Sequence, residues 1–151
     1  MKTETAPLNL RLELRRAIDA PVERVFAAWT DLDKFTAWLG SSCFKLKHAE
    51  GDIRVGGSFH IEGTGCESGS DTILEGRYRE IVPNSRLVFT WAHQTPPMNA
   101  EGETVVTVDF KAVGRKTEIH LVHEGFVTEQ AREGHNDGWN TSFDRLAQNL
   151  A

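Results

Sequence analysis

From Gly76 to Trp91 the chain reads GRYREIVPNSRLVFTW, two alternating runs on either side of Pro83-Asn84-Ser85. Gly76, Tyr78, Glu80 and Val82 share one parity, and Leu87, Phe89, Trp91 and His93 share another. A period of two over this length predicts half-buried strands. Proline fixes φ and asparagine tolerates turn geometry, so the three residues between the runs predict a tight connection. The stretch is therefore a long antiparallel hairpin with an aromatic face. A hairpin alone is marginal in water, so another element must cover Tyr78, Phe89 and Trp91.

The cover is expected from the C-terminal stretch, where the period becomes helical. Trp139, Phe143, Leu146 and Leu150 recur at i, i+4, i+7 and i+11, and His135 and Ala131 extend the stripe backwards. Thr128 is placed to cap this helix. Gly134 and Gly138 each cost about 1 kcal/mol of helix propensity relative to alanine. Glycine there leaves room beside a sheet or lets a backbone approach it.

Before the hairpin, Leu8, Leu10, Leu12 and Leu14 alternate in a first strand, with Arg16 on the inward parity. Its head is expected at solvent with its stem packed, a buried ion pair being the alternative. Asp19-Ala20-Pro21 starts a helix whose Val22, Val25, Phe26 and Trp29 form a core-facing stripe. Asp31 is the expected N-cap of a second short helix carrying Phe35, Trp38 and Leu39, with Gly40 as its stop. Strands follow over Phe44–Ala49, Ser58–Thr64 and Thr72–Val82. After the hairpin come a proline-containing loop and two more alternating runs, Thr104–Ala112 and Thr117–Glu124. Strand, two helices, a run of antiparallel strands and one long helix make an α+β fold. A curved antiparallel sheet wrapped around the C-terminal helix is the economical arrangement.

The chain's 151 residues fit one domain spanning 1–151. A net charge of -5 argues against nucleic acid and anionic lipid as partners. No apolar run reaches a membrane span and the N-terminus has no signal-peptide core, so a cytoplasmic protein is expected. Cys43 and Cys66 form no CxxC and no cluster with histidine, which fits reduced thiols. GTGCESGSD is glycine-rich, but no GK[ST] closes it and a strand follows, so it is a hairpin loop. GxSxG, HExxH and a helix-opening GxGxxG are all missing, and no catalytic residue or cofactor is expected.

Five stretches in order, AAWTDLDKFTAWLG, GDIRVGGSF, GRYREIVPNSRLVFTW, KTEIHLVHEGF and GWNTSFDRLAQNL, resemble the START-like or SRPBCC helix-grip superfamily. The resemblance runs from about Leu10 to Leu150. It is greatest to bacterial proteins related to the C-terminal domain of the activator of heat-shock protein 90 ATPase. It implies a curved sheet gripping a C-terminal helix, with a cavity between them that in many members takes an apolar or amphipathic small molecule. Leu32 stands where the family often has proline, and Trp38-Leu39 where it often has paired tryptophans, a change at the cavity mouth. The separate N-terminal domain of the eukaryotic activators has no counterpart here, which argues against a cochaperone role.

Phe59, Tyr78, Phe89, Trp91, Trp139 and Phe143 are expected to face the interior, where ordinary core is the simpler role for most. Trp38 is expected as a lid. His93, His123 and His135 have inward positions, whereas His60 and His120 point outward. Three inward histidines fit a metal site, polar contacts to a ligand, or satisfied core histidines. The last is favoured and no metal is expected, since no cysteine or carboxylate accompanies them at ligand spacing. The candidate ligand-binding set is Trp38, Phe59, Tyr78, Phe89, Trp91, His93, His123, His135, Trp139 and Phe143. Its mouth is expected near Trp38 and the 63–69 loop. Two functions remain open. One is the binding of an apolar or aromatic small molecule, with or without weak lyase or hydrolase activity. The alternative is a protein-interaction domain assisting a chaperone ATPase, its partner being that chaperone or a second copy of the chain.

Overall fold

A computed structural model of the protein describes residues 9–39, 45–64, 71–96 and 98–150. Cys43, Cys66 and most of the glycine-rich loop lie outside the described residues. The elements run β1 (Leu10–Ile18), α1 (Val22–Thr30), α2 (Leu32–Trp38), β2 (Lys45–Gly51), β3 (Ser58–Thr64), β4 (Asp71–Val82) and β5 (Arg86–His93). A 3-10 turn (Met98–Glu101), β6 (Thr104–Val113), β7 (Lys116–Phe126) and α3 (Glu129–Leu150) complete the chain. The strands make one curved antiparallel sheet in the order β1-β7-β6-β5-β4-β3-β2. Strands β2 to β7 form a consecutive meander. The two short helices carry the chain from β1 at one edge to β2 at the other.

Local chemistry accounts for the element ends. Asp31 accepts from the backbone N–H groups of Asp33 and Lys34 at 3.1 and 3.4 Å and so caps α2. Asn84 takes φ 59° in the β4–β5 turn, a conformation asparagine tolerates. A Cβ at Gly76 would lie 2.0 Å from the Thr90 carbonyl oxygen and 2.5 Å from the Phe59 ring. Only glycine lets Phe59 lie across β4 at that point.

The hairpin departs from the uniform alternation expected of it. Pairing runs Val82↔Arg86, Ile81↔Leu87 and Glu80↔Val88, then shifts to Tyr78↔Phe89. Arg79 is the extra residue of a β-bulge, which resets the parity. Ile81 turns toward the core, while Glu80 and Val82, expected inward with Tyr78, are exposed. The same shift sets Leu74 opposite His93.

The inner face of the sheet packs against all three helices. Trp29 of α1 lies 4.7 Å from Trp38, 5.8 Å from Phe35 and 5.9 Å from Trp139 between ring centroids. Phe35 reaches the sheet at Phe59 (6.4 Å) and Phe89 (6.5 Å). Arg16 donates to Asp144 at 2.8 Å, and its guanidinium carbon lies 5.8 Å from the centroid of Phe143, so its head pairs at the surface while resting on that ring. No helix among the described residues is long and apolar enough to cross a membrane.

Candidate functional site

Helix α3 lies over the sheet without covering it evenly. From Trp139 onward its inner stripe is bulky, and Trp139, Phe143 and Leu146 are buried. Its first half offers Gly134 and Gly138, and a Cβ built on either meets no atom within 4 Å. Under this half lies a pocket of about 290 Å³. Its sheet wall is Ile61 of β3, Thr72 and Leu74 of β4, and Trp91 and His93 of β5. Gly134, His135, Gly138, Trp139 and Ser142 line the helix side, and Leu39 and Met98 complete it.

Of the ten residues expected to bind a ligand, Trp91, His93, His135 and Trp139 line this pocket. The other six pack elsewhere. Trp38, expected as a lid, is 1% exposed; its indole N–H donates to the Ala28 carbonyl at 3.0 Å and its ring packs on Trp29 and Phe35. Phe59, Phe89 and Phe143 are core, because α1 and α2 bring Trp29, Phe35 and Trp38 against them, and Tyr78 is buried beside Phe59 and Phe89. The pocket is displaced toward the β3–β4–β5 side, where no ring from α1 or α2 appears in its lining. Ile61, Thr72 and Leu74 were legible as inward by parity with Phe59, Gly76 and Tyr78. Leu39 lies in the Trp38-Leu39 pair read as a change at the cavity mouth, whereas Met98 and Ser142 carried no such signal.

Hydrogen bonds assign the histidine protons. The indole N–H of Trp139 donates to Nδ1 of His123 at 3.1 Å. That ring's proton is therefore on Nε2, which donates to Thr104 Oγ1 at 2.7 Å, and the Thr104 hydroxyl donates to the Trp91 carbonyl at 2.7 Å. His123 is fully buried with both nitrogens engaged, a satisfied core histidine with nothing left for a ligand or metal. Burial, assisted by the two neighbouring histidines, holds its pKa well below the usual value.

His93 and His135 form a second chain. Nδ1 of His135 lies 2.8 Å from the Ala131 carbonyl, which only accepts, so Nδ1 carries the proton. Its Nε2 then accepts from Nε2–H of His93 at 3.0 Å. Nδ1 of His93 is left as a lone-pair acceptor with no hydrogen-bond partner among the described residues. Burial lowers the pKa of His93 to about 4, with His135 adding to the effect. Burial also lowers His135, against the opposing pull of the Ala131 carbonyl and the Glu101 carboxylate. Both rings are neutral at pH 7. Trp91, between these two histidine systems, buries an indole N–H that has no acceptor among the described residues.

Glu101 was not singled out from the sequence, since it falls in a segment read as loop. Its carboxylate accepts from the Val127 N–H at 2.8 Å and the Thr128 hydroxyl at 3.0 Å, tying the 3-10 turn to the start of α3. Thr128 in turn accepts from the Ala131 N–H at 3.2 Å, as a cap should. The two contacts hold Met98 and α3 on either side of the pocket. Among the described residues no group of three histidine, cysteine or acidic side chains is arranged to hold a metal.

The family model described as activator of Hsp90 ATPase homolog 1-like protein matches residues 19–151. No curated protein matches the chain significantly. Among solved structures, one from Chromobacterium violaceum is 29% identical with a TM-score of 0.80, over 93% of this chain and 97% of that one. One from Rhodobacter sphaeroides is 26% identical, with a TM-score of 0.76 and 93% and 91% covered. One from Mesorhizobium loti is 25% identical, with a TM-score of 0.73 and 92% and 95% covered.

Proposed function

This chain belongs to the activator of Hsp90 ATPase homolog 1-like family, within the START-like helix-grip proteins, and from that premise we propose that it binds an apolar or aromatic small molecule between sheet and α3. The carrying observation is the pocket of about 290 Å³ under Gly134 and Gly138. That size is near the lower end of small-molecule sites, which run from about 300 Å³. Its makeup also fits, since an apolar lining surrounds a few convergent polar groups. The site residues proposed are Trp91, His93, His135 and Trp139, together with Ile61, Leu74 and Met98. Phe59, Phe89, His123 and Phe143 pack against Trp91 or Trp139 from behind, and Trp38 and Tyr78 lie in the core beyond them.

The family and fold are equally compatible with a chaperone-related role. A contiguous exposed apolar surface would favour that reading. The exposed large hydrophobics among the described residues are Leu46, Val55, Val82 and Val113, which fall on β2, the turn after it, and the far ends of β4 and β6. The pocket therefore favours the small-molecule reading.

Naphthalene, sized for such a pocket, should quench tryptophan fluorescence through Trp91 and Trp139 and raise the melting temperature, as a ligand of the native state must. Gly138→Leu should fill the pocket, abolish both responses and leave the protein folded. No response in the wild-type protein, or the same response in the variant, would refute the proposal.

A further inference from the structure

We infer that the pocket selects an uncharged apolar molecule carrying one hydroxyl donor, a phenol or an alcohol, whose O–H donates to Nδ1 of His93. The inference rests on the small-molecule reading of the pocket and adds the chemistry of its polar end. It follows from a chain of hydrogen bonds in which each bond sets the next. The Ala131 carbonyl has no proton to give, so His135 must donate to it from Nδ1. A neutral His135 then offers only a lone pair at Nε2, and His93 must supply the proton of the 3.0 Å contact from its own Nε2. The remaining nitrogen of His93, a residue of the pocket wall, can only accept. An acceptor fixed in this way discriminates among guests, because reversing it breaks a bond to the helix backbone or sets two lone pairs face to face.

The rest of the lining excludes the charged alternatives. No lysine or arginine lies among the described lining residues, so a carboxylate would meet a lone pair without a cation. No aspartate or glutamate lies there either, so an ammonium group would lose its hydration without a counter-charge. A guest with no polar group fills the volume and leaves the acceptor unused. A hydroxyl group matches the acceptor without introducing a charge.

Four bicyclic probes of similar shape separate these cases: naphthalene, 2-naphthol, 2-methoxynaphthalene and 2-naphthoate. Affinities are measured by tryptophan quenching and calorimetry at pH 7.5, where 2-naphthol is uncharged. One hydrogen bond to this half-buried acceptor should make 2-naphthol roughly three- to tenfold tighter than 2-methoxynaphthalene, which has the oxygen but no donor. 2-Naphthoate should bind most weakly. In His93→Phe the ratio of 2-naphthol to 2-methoxynaphthalene should fall to about one. In His135→Phe it should fall as well, because His93 loses the partner that fixes its proton. Because either substitution risks the fold, imidazole nitrogen NMR of the wild-type protein gives an independent reading. Nδ1 of His93 should be unprotonated and should shift with 2-naphthol but not with 2-methoxynaphthalene. Equal binding of those two probes, tightest binding of 2-naphthoate, or a proton on Nδ1 would overturn the inference while leaving the pocket reading intact. Failure of all four probes to bind would overturn both.

Discussion

At the scale of single residues the inward histidines divide by what their nitrogens touch. His123 joins β5, β6 and α3 through Thr104 and Trp139. Thr104→Val keeps the shape and removes the hydroxyl, leaving Nε2–H of His123 and the Trp91 carbonyl without their partner. The expected loss is about 1–3 kcal/mol, read as a lower denaturant midpoint at unchanged slope. All three histidines titrate below their ordinary value in the folded protein, so stability should fall on acidification. Above about pH 6.5 the folded and unfolded forms both carry neutral rings, and the full stability is present. As pH falls below that, the unfolded chain binds protons that the folded one refuses, down to about 4 at His93. The loss is about 1.4 kcal/mol per pH unit for each ring that stays neutral. His60, held between Glu62 and Glu75, is shifted up and works in the opposite sense, but it sits at the surface, where such pairs contribute little. Chemical denaturation at pH 7.5 and pH 5 should show the net decrease, and a flat profile would contradict the buried neutral rings.

At the scale of elements, α3 is a helix of two unequal halves. Trp139 stands where they meet. It is 3% exposed, stacks on Trp29 at 5.9 Å and donates to His123, so it seals the core and bounds the pocket at once. Trp139→Ala should cost about 3–5 kcal/mol, the usual cost of deleting a buried large aromatic. A midpoint near that of the wild type would mean that α3 does not close the sheet. The glycines preceding Trp139 were legible as a gap, because propensity and volume are properties of the residue itself. The bulge at Arg79 was not. Nothing in GRYREIV marks the extra residue, and only pairing with β5 reveals that two residues of β4 oppose one. That shift decides which side chain of β4 faces His93, and with it part of the pocket wall.

At the scale of the whole molecule, local periodicity in the sequence determined the elements, their order, the inward faces of the strands up to the bulge in β4, and the segregation of helices from one antiparallel sheet. Alternation and helical repeat are imposed by backbone geometry on residues close in the chain, so one sequence displays them. Asp31 and Thr128 were legible as caps for the same reason. The tertiary structure alone decided where space remains. The aromatic residues of the hairpin invited a cavity over Phe59, Tyr78 and Phe89, yet Trp29, Phe35 and Trp38 occupy that volume from helices far away in sequence. The pocket survives only beneath Gly134 and Gly138, beyond the reach of those rings. Which nitrogen of each histidine is free was decided in the same way, by Ala131, Thr104 and Trp139 arriving from other turns and strands. Occupancy of volume and completion of hydrogen bonds depend on residues brought together by folding, and no period along the chain encodes them.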